Sequence, residues 1–590
     1  MDMSKLAGNV SETAQENITA WLTQPKYAEY RDELVAMIKA EKWQELEDAF
    51  FKVIEFGTGG RRGTTGVGSN RINRVTVGES AQALCEYARE ADENAPQKGI
   101  VIACDTRLSS PELSTYCATV CAANGFTTYI FDGFRSTPEL SFAVRHLGAA
   151  AGIVITASHN PPADNGFKAY WSDGGQLVPP HDSGVLSKAA RVTEIKTTDY
   201  DQAVTEGTIT IIGKDIDDAY IAAALAESEG QERDLRIVYS PLHGAGQRNT
   251  LPVLRGAGFE VITVDEQLIP DGAFPTIPSG KANPEEPAAN DMAVQLMLDR
   301  QADIAITNDP DADRIGVMVR HNDQAIYLNG NQSAVLATDY ALRQKQQKGE
   351  LTDKHYIAST IVTTDMLKAL AATYGVTSYA NMLIGFKYIG ELILSKESTD
   401  EIFVIGGEES YGLLKGTYAR DKDGAVGALP IAEYAAELKK QSKTLYDRLL
   451  ELYEEHGFYI ERLDTIQYPG ADGFTKMNDI MSSLRSQPPR QVGEHTVTAI
   501  LDYQTLTRTD TATGDTSPID CIAGNVVVLE LDGDPRRRLT VRPSGTEPKL
   551  KVYCAWYEAA TPGENTQQRY DQISNNLQAL SKQLEILLLS

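Results

Sequence analysis

Nowhere in the 590 residues is there an uninterrupted apolar run of the ~18 residues that a membrane span needs. The most apolar stretch, Leu147 to Ala157, is broken by glycine and reads as a buried strand. The opening MDMSKLAGNVSETAQ lacks the charged-then-apolar pattern of a secretion signal, so a cytoplasmic location is expected. Positive charge is short: 55 Lys and Arg stand against 82 Asp and Glu, a formal net charge of -27. Such a surface has no general attraction for nucleic acid or anionic membrane, and neither is expected as a partner. A phosphate ligand must be met by a local basic pocket. Cysteine is sparse as well. Cys117 and Cys121 share a helix face but have no second ligand pair, which argues against zinc. All six cysteines (85, 104, 117, 121, 521, 554) are read as buried, reduced thiols.

What is present is an ordinary globular composition, 42% apolar and 23% charged, with length for about four domains. Residues 1–50 read as a helical extension, with Tyr27, Tyr30, Leu34, Met37 and Ile38 on one face. Beyond it a pattern of strand, polar loop, helix, glycine and second strand recurs three times. The first copy starts at GIVIACDTRLSS (99–110), the second at RIVYSPLHGAG (236–246), the third at HYIASTIVTTD (355–365). Alternating strands and helices predict parallel sheets. The next strand of each copy, AAGIVITASHN, ADIAITNDPDADR or EIFVIGGEES, runs into a dense polar loop. Ligands of open α/β sheets sit beyond the carboxyl ends of strands, so the three loops are expected to face one cleft. From about residue 456 short strand-like runs alternate before a closing helix with Ile573, Leu577, Leu580, Leu584 and Leu587 on one face. The fold class expected is therefore α/β, three related domains with mixed, largely parallel sheets, plus a C-terminal α+β domain. The division reads 1–50 for the extension, then 51–213, 214–325, 326–455 and 456–590.

Five loops can carry chemistry. TASHNPPADNGFK (156–168) exposes Ser158 at a strand end, where it is either a nucleophile or part of a Ser/Asn-rich turn closed by prolines. In extended backbone the side chains of Ser158 and His159 diverge, and no G-x-S-x-G surrounds the serine, so a Ser–His–Asp triad is not expected. DPDADR places Asp309, Asp311 and Asp313 at alternate positions, on one side of an extended strand end. Three such charges repel unless a cation intervenes, and hard oxygen ligands suit Mg²⁺; the rival is an acidic solvated turn. The calcium-loop pattern fails, with Arg314 where it needs Gly and Arg320 where it needs Glu. GTGGRRGTTGVGSNR (57–71) is an anion cradle or a flexible turn, and it matches neither the P-loop nor G-x-G-x-x-G. GGEESYG offers Glu408 and Ser410, which suit sugar hydroxyls, and Lys422 follows in ARDKDG. RPSGTEP offers Arg542, Ser544, Gly545 and Thr546, a set suited to a phosphate dianion.

FGTGGRRG, TASHNP, DPDADR, GEESYG and RPSGTEP in this order resemble the α-D-phosphohexomutase superfamily, the phosphoglucomutase and phosphomannomutase enzymes. NGFKAYWSDGGQLVPPHD, FPTIPSGKANPEEP and ARDKDG look closest to its bacterial phosphoglucomutase branch. The resemblance implies a heart-shaped, four-domain arrangement around one cleft, a monomer or homodimer. It implies that Ser158 carries a phosphoryl group and, with Asp309, Asp311 and Asp313, forms the Mg²⁺ site. It also implies that Arg62, His159 and Lys168 surround the phosphoserine and that Arg314 follows the metal loop. Glu408 and Ser410 would read sugar hydroxyls, Lys422 would serve proton transfer or substrate binding, and Arg542, Ser544, Gly545 and Thr546 would hold the non-reacting phosphate. Two departures stand out. Ile384-Gly385-Phe386-Lys387 lacks a threonine often found before the glycine, which leaves Gly385 as the substrate contact there. Arg61 sits beside Arg62, and Arg62 takes the family role because Gly63 follows it.

The expected reaction is interconversion of α-D-glucose 1-phosphate and glucose 6-phosphate through the phosphoserine and glucose 1,6-bisphosphate. Rivals within the superfamily are a phosphomannomutase, a phosphopentomutase and a glucose 1,6-bisphosphate synthase. Outside it stand a metal-dependent serine phosphatase and a catalytically silent sugar-phosphate sensor.

Overall fold

The computed structural model describes residues 5–55, 60–468, 473–544 and 549–589. They form two compact units: Met1–Ser228 with Arg236–Gly316 and Gly416–Leu429, and Glu229–Leu235 with Val317–Lys415 and Pro430–Ser590.

The first unit opens with helices Glu12–Thr23, Arg31–Lys39 and Trp43–Phe50, with a 3₁₀ turn over Pro25–Tyr30. Trp21, Leu34, Ile38, Leu46 and Phe50 bury one another together with Val67 and Val75. The extension therefore has its own core. It also holds the glycine-rich loop, because Arg71 Nη1 donates to the Asp48 carbonyl at 2.9 Å.

Next comes a six-stranded sheet. Its strands are β1 (Arg61–Thr64), β2 (Ile100–Cys104), β3 (Thr128–Phe131), β4 (Ala151–Ile155), β5 (Asp164–Trp171) and β6 (Ile209–Ile212). The order is β1-β5-β4-β2-β3-β6, with β5 antiparallel to both neighbours. β2 and β4, IVIAC and AGIVI, are buried at every position, as parallel strands covered on both faces must be. The covering helices show their signals in sequence. Asn73 and Thr76 form a capping box at the start of Arg74–Ala91. Ser136 caps Thr137–Leu147, which ends at Gly148 in the left-handed region. Helix Lys214–Ala226 packs Ile216 and Tyr220 into the same cluster as Leu140 and Phe142. All six cysteines are free, and Cys521 departs from the expected burial in being half-buried.

The second copy in this unit consists of β7 (Arg236–Ser240), β8 (Glu260–Thr263) and β9 (Ile304–Asn308), with β7 parallel to both others.

β10 (Ile315–His321), whose residues from Val317 onward belong to the second unit, forms a hairpin with β11 (Gln324–Leu328). Its turn residues Asn322 and Asp323 both have positive φ, as a tight right-twisted hairpin requires. The third copy is β12 (His355–Thr360), β13 (Thr377–Met382), β14 (Ile402–Gly407) and β15 (Leu413–Lys415), in the order β13-β12-β14-β15. In all three copies the first strand lies between the second and third, all parallel. The weak sequence repeat is thus a repeat of topology.

The C-terminal sheet is antiparallel: β16 (Phe458–Gln467), β17 (Gln491–Val492), β18 (His495–Asp502), β19 (Thr507–Asp510), β20 (Thr516–Pro518), β21 (Val527–Leu531), β22 (Asp534–Pro543) and β23 (Lys549–Glu558). Helix Thr566–Leu589 packs on it through Ile573, Leu577, Leu580 and Leu584. Leu588 completes the buried face where Leu587 was expected, a four-residue step that keeps the stripe in line. Among the described residues no helix is long and apolar enough to cross a membrane.

Candidate active site

The site is built where β4 and β9 end, both within the first unit. After β4 the chain turns at Ser158, which adopts φ +52°. The left-handed backbone alters the geometry expected of an extended segment. Ser158 Oγ lies 3.2 Å from His159 Nδ1, so the neighbouring side chains converge instead of diverging. The hydroxyl donates to Asp309 Oδ2 at 2.6 Å, and the Ser158 amide donates to Thr156 Oγ1 at 2.8 Å. The serine is 2% exposed. The serine reaches the Asp309 carboxylate directly, where a triad interposes the histidine.

The three aspartates converge by a mechanism other than strand alternation. Past β9 the chain makes a turn: the Ala312 amide donates to the Asp309 carbonyl at 2.9 Å, and Ala312 has φ +53°. The turn folds the carboxylates together, with one oxygen of each within 4.8 Å of the others. A glycine braces the turn from the second copy. A Cβ on Gly244, in PLHGAG, would lie 2.4 Å from Pro310 Cα, and the Ala245 amide donates to the Pro310 carbonyl at 2.8 Å. All three carboxylates are buried, and Asp311 Oδ1 and Asp313 Oδ1 accept no hydrogen bond from any described residue. Buried carboxylate oxygens left without a hydrogen bond in a cluster of three aspartates fit a hard divalent cation, which would supply what the protein leaves unmet. Burial, with Asp313 and Asp311 beside it, pushes the Asp309 carboxyl well above the ordinary carboxylate range. Burial opposes ionisation of Asp311 too, but the Lys168 ammonium outweighs it and holds Asp311 well below that range. The burial and repulsion that raise Asp309 are what a divalent cation would relieve.

Cations flank the cluster. Lys168, from β5 where it pairs with Val154, places Nζ 2.8 Å from Asp311 Oδ2. Lys422 Nζ is 2.9 Å from Asp313 Oδ2. Its segment, Gly416–Leu429, packs in the first unit although it follows β15 in sequence. Two carboxylates anchor it: Asp421 accepts from Tyr170 Oη at 2.7 Å, and Asp423 accepts from Tyr220 and Tyr418. Arg314 donates its amide to Asp309 Oδ1 at 3.1 Å and its guanidinium to Glu285 at 2.6 Å. On β1 the two arginines separate by alternation. Arg61 turns inward, 3% exposed, to the Thr76 carbonyl and Glu79, whereas Arg62 Nη1 donates to Asn160 Oδ1 at 3.4 Å.

The remaining candidates belong to the second unit. Glu408 is buried just past β14, its amide donating to the Gly412 carbonyl at 2.9 Å, and Ser410 is half-buried. Gly385 has φ +129° at the start of helix Phe386–Lys396. Arg542 lies on β22 opposite Lys551, and the Ser544 amide donates to the Lys549 carbonyl at 2.8 Å. Gly545 and Thr546 lie outside the described residues, as do residues 56–59 of the glycine-rich loop.

Sequence reasoning passed over several groups. Thr137 donates both Oγ1 to Asp311 Oδ2 and its amide to the Asp311 carbonyl, each at 2.9 Å. Arg107, buried beneath the serine loop, donates four hydrogen bonds to its carbonyls. The only signal for Arg107 was the polar DTR placed directly after β2.

Comparison with known proteins gives the same picture from another direction. Residues 53–196, 218–322 and 329–453 match, in order, phosphoglucomutase/phosphomannomutase α/β/α domains I, II and III. The phosphoglucomutases of Staphylococcus aureus strains N315 and USA300 are each 36% identical over 519 residues, 87% of this chain and 91% of theirs. Among solved structures, a putative phosphomannomutase from Thermus thermophilus superposes with TM-score 0.64 at 21% identity, covering 91% of this chain and 100% of that one. The exocytosis-sensitive phosphoprotein pp63/parafusin from Paramecium gives TM-score 0.62 at 16% identity, covering 90% and 96%. These two likenesses are of fold.

Proposed function

The chain belongs to the phosphoglucomutase/phosphomannomutase family, and from that premise we propose that its site moves a phosphoryl group between O1 and O6 of α-D-glucose. It is an isomerase of the phosphoglucomutase type. The observation that carries the reading is the Ser158 hydroxyl held 2.6 Å from Asp309 in a cluster of three carboxylates flanked by Lys168 and Lys422.

In the working enzyme Ser158 carries a phosphoryl group. The free hydroxyl of a glucose monophosphate attacks the phosphorus, the bond to Ser158 Oγ breaks, and glucose 1,6-bisphosphate is formed. Return of the other phosphoryl group to Ser158 releases the isomer. His159 Nδ1, 3.2 Å from Oγ, holds the proton that Oγ gains and loses. Lys422 relays the proton of the attacking hydroxyl, its ammonium passing one proton to Asp421 Oδ1, 3.3 Å away, as it takes the hydroxyl's. Lys168 and Arg62 bear on the phosphoryl oxygens, where fixed positive charge lowers the barrier. Asp309, Asp311, Asp313 and a phosphoryl oxygen on Ser158 would hold Mg²⁺, which when bound neutralises charge on the transferring group. Glu408 and Ser410 read the sugar hydroxyls beside Gly385, Arg314 contacts the substrate, and Arg542 with Ser544, Gly545 and Thr546 takes the non-reacting phosphate. We place the enzyme in the cytoplasm, where its thiols stay reduced.

The test is exchange between glucose 1-phosphate and glucose 6-phosphate, started with bisphosphate and Mg²⁺. Ser158→Ala is expected to abolish the exchange and the labelling of the protein by phosphate. Full activity in that variant sinks the mechanism, and release of free phosphate without isomer from the parent makes it a phosphatase.

A further inference from the structure

Resting on the mutase reading, we propose that Arg107 is a positioning residue for the phosphoserine step, a guanidinium clamp that sets the direction of Ser158 Oγ. The clamp has three parts. The first is the loop itself. A non-glycine residue with φ near +52° is held against its intrinsic preference, so something must over-determine it. Arg107 Nη2 donates to the carbonyls of Ser158 and Asn160, both at 2.6 Å, and Nη1 to those of Pro161 and Asp164, both at 2.8 Å. One planar fork thus gathers four carbonyls of a seven-residue arc. Lysine, with a single point of charge, cannot reproduce that geometry.

The second part fixes the arginine. Asp105 Oδ1 accepts from the Arg107 amide at 2.9 Å and from Ser110 Oγ at 2.6 Å, and Asp105 Oδ2 lies 3.2 Å from Arg107 Nε. The Asp105 amide in turn donates to the Ile155 carbonyl at the end of β4. The clamp is therefore referenced to the same strand that delivers Ser158. The third part is a cover. A Cβ on Gly272 would lie 2.5 Å from Arg107 Cα, and the Phe274 ring centre is 5.3 Å from the guanidinium carbon. The segment that follows β8 thus closes over the arginine and leaves it 1% exposed.

All four acceptors are backbone carbonyls of the serine loop, so Arg107 acts on the reaction through the position of Oγ. The full chain is assayed as Arg107→Lys and Arg107→Ala with Mg²⁺ and glucose 1,6-bisphosphate, reading kcat, KM, label on Ser158 and the thermal midpoint. A reacting atom displaced by about 1 Å loses about 100-fold in rate, and both variants are expected to lose kcat on that order with KM within about threefold. Added guanidinium ion is expected to restore about tenfold to Arg107→Ala and nothing to Arg107→Lys, because only the first leaves space for the planar fork. A kcat for Arg107→Lys within about threefold of the parent, or no rescue of Arg107→Ala, overturns the clamp. Amide exchange at Ser158, Asn160 and Asp164 decides independently of activity. Faster exchange there, with exchange at 309–313 unchanged, upholds the clamp, and unchanged exchange at the three amides overturns it. Absence of label on Ser158 in the parent sinks the mutase reading instead, and leaves the clamp to be judged on exchange.

Discussion

Asp309→Asn should make the metal-free protein more stable and the metal-loaded protein less so. The carboxylate oxygens of Asp309, Asp311 and Asp313 lie within 4.8 Å of one another in a buried site. Two unit charges that far apart repel by ~3.5 kcal/mol at an effective dielectric constant of ~20. Lys168 offsets Asp311 and Lys422 offsets Asp313, and the lysine contacts leave Asp309 the most strained member. The isosteric amide keeps both hydrogen bonds. Its oxygen accepts from the Arg314 amide, and the Ser158 hydroxyl turns to accept from its nitrogen. With EDTA at pH 7.5 the variant is expected to gain ~1–3 kcal/mol after the lysine offsets are allowed for. The folded carboxyl of Asp309 titrates above its unfolded value, so its contribution is full in acid and lost as pH rises. The advantage of the variant therefore grows from acid to neutral pH. Mg²⁺ at a hundred times its dissociation constant stabilises the parent by ~2.7 kcal/mol, and the variant, having lost one ligand charge, gains little. Thermal unfolding with EDTA and with Mg²⁺ should give curves that exchange order. A variant less stable than the parent in EDTA, or stabilised equally by Mg²⁺, refutes the reasoning.

Two further outcomes follow from the buried charges. Arg61→Ala removes one of two cations from Glu79, which keeps Lys26 at 2.8 Å, together with the bond to the Thr76 carbonyl, and is expected to destabilise by about 1–2 kcal/mol with kcat kept, whereas Arg62→Ala is expected to lower kcat at unchanged thermal midpoint; the reverse pattern in paired melting and activity assays exchanges their roles. Burial raises the Asp423 carboxyl to about 6 from 3.8, so its contribution is full below about pH 4 and lost as pH rises through about 6, by ~3 kcal/mol in all. Asp423→Asn keeps its oxygen as acceptor for the Ala425 amide and Tyr220 and turns its amide nitrogen toward Tyr418, and it is expected to flatten the stability profile between those values; a denaturant profile as steep as the parent's rejects the assignment.

Much of the architecture was legible because parallel sheets impose local signatures. IVIAC and AGIVI, apolar at every position, announced strands covered on both faces, and the glycines at the helix ends marked the returns. The site residues were legible as types in order. Their geometry was not. Extended backbone at Ser158 and Asp309–Asp313 predicted a serine turned from its histidine and carboxylates sharing a strand face. Two non-glycine residues at positive φ, Ser158 and Ala312, reversed the first and replaced the second with a turn. Propensity gives no warning there, because such conformations are imposed by tertiary contacts. Leu588 for Leu587 is a milder case, where packing chose between two positions adjacent on the helix surface.

Sequence by itself determined the chemistry available: three carboxylates in a row, a serine after a buried strand, and basic residues set against a net charge of -27. It also determined the family, since five loops in that order carry the resemblance and the three domain matches follow the same order. Tertiary structure decided which of these groups meet. It brought Lys422 back into the first unit on a segment anchored by Asp421 and Asp423, turned Arg61 inward and left Arg62 beside Asn160, and set Arg107 beneath the serine. The physical reason is one of range. Patterning and capping act over a few residues, whereas a buried charge is stable only where distant segments supply its partner.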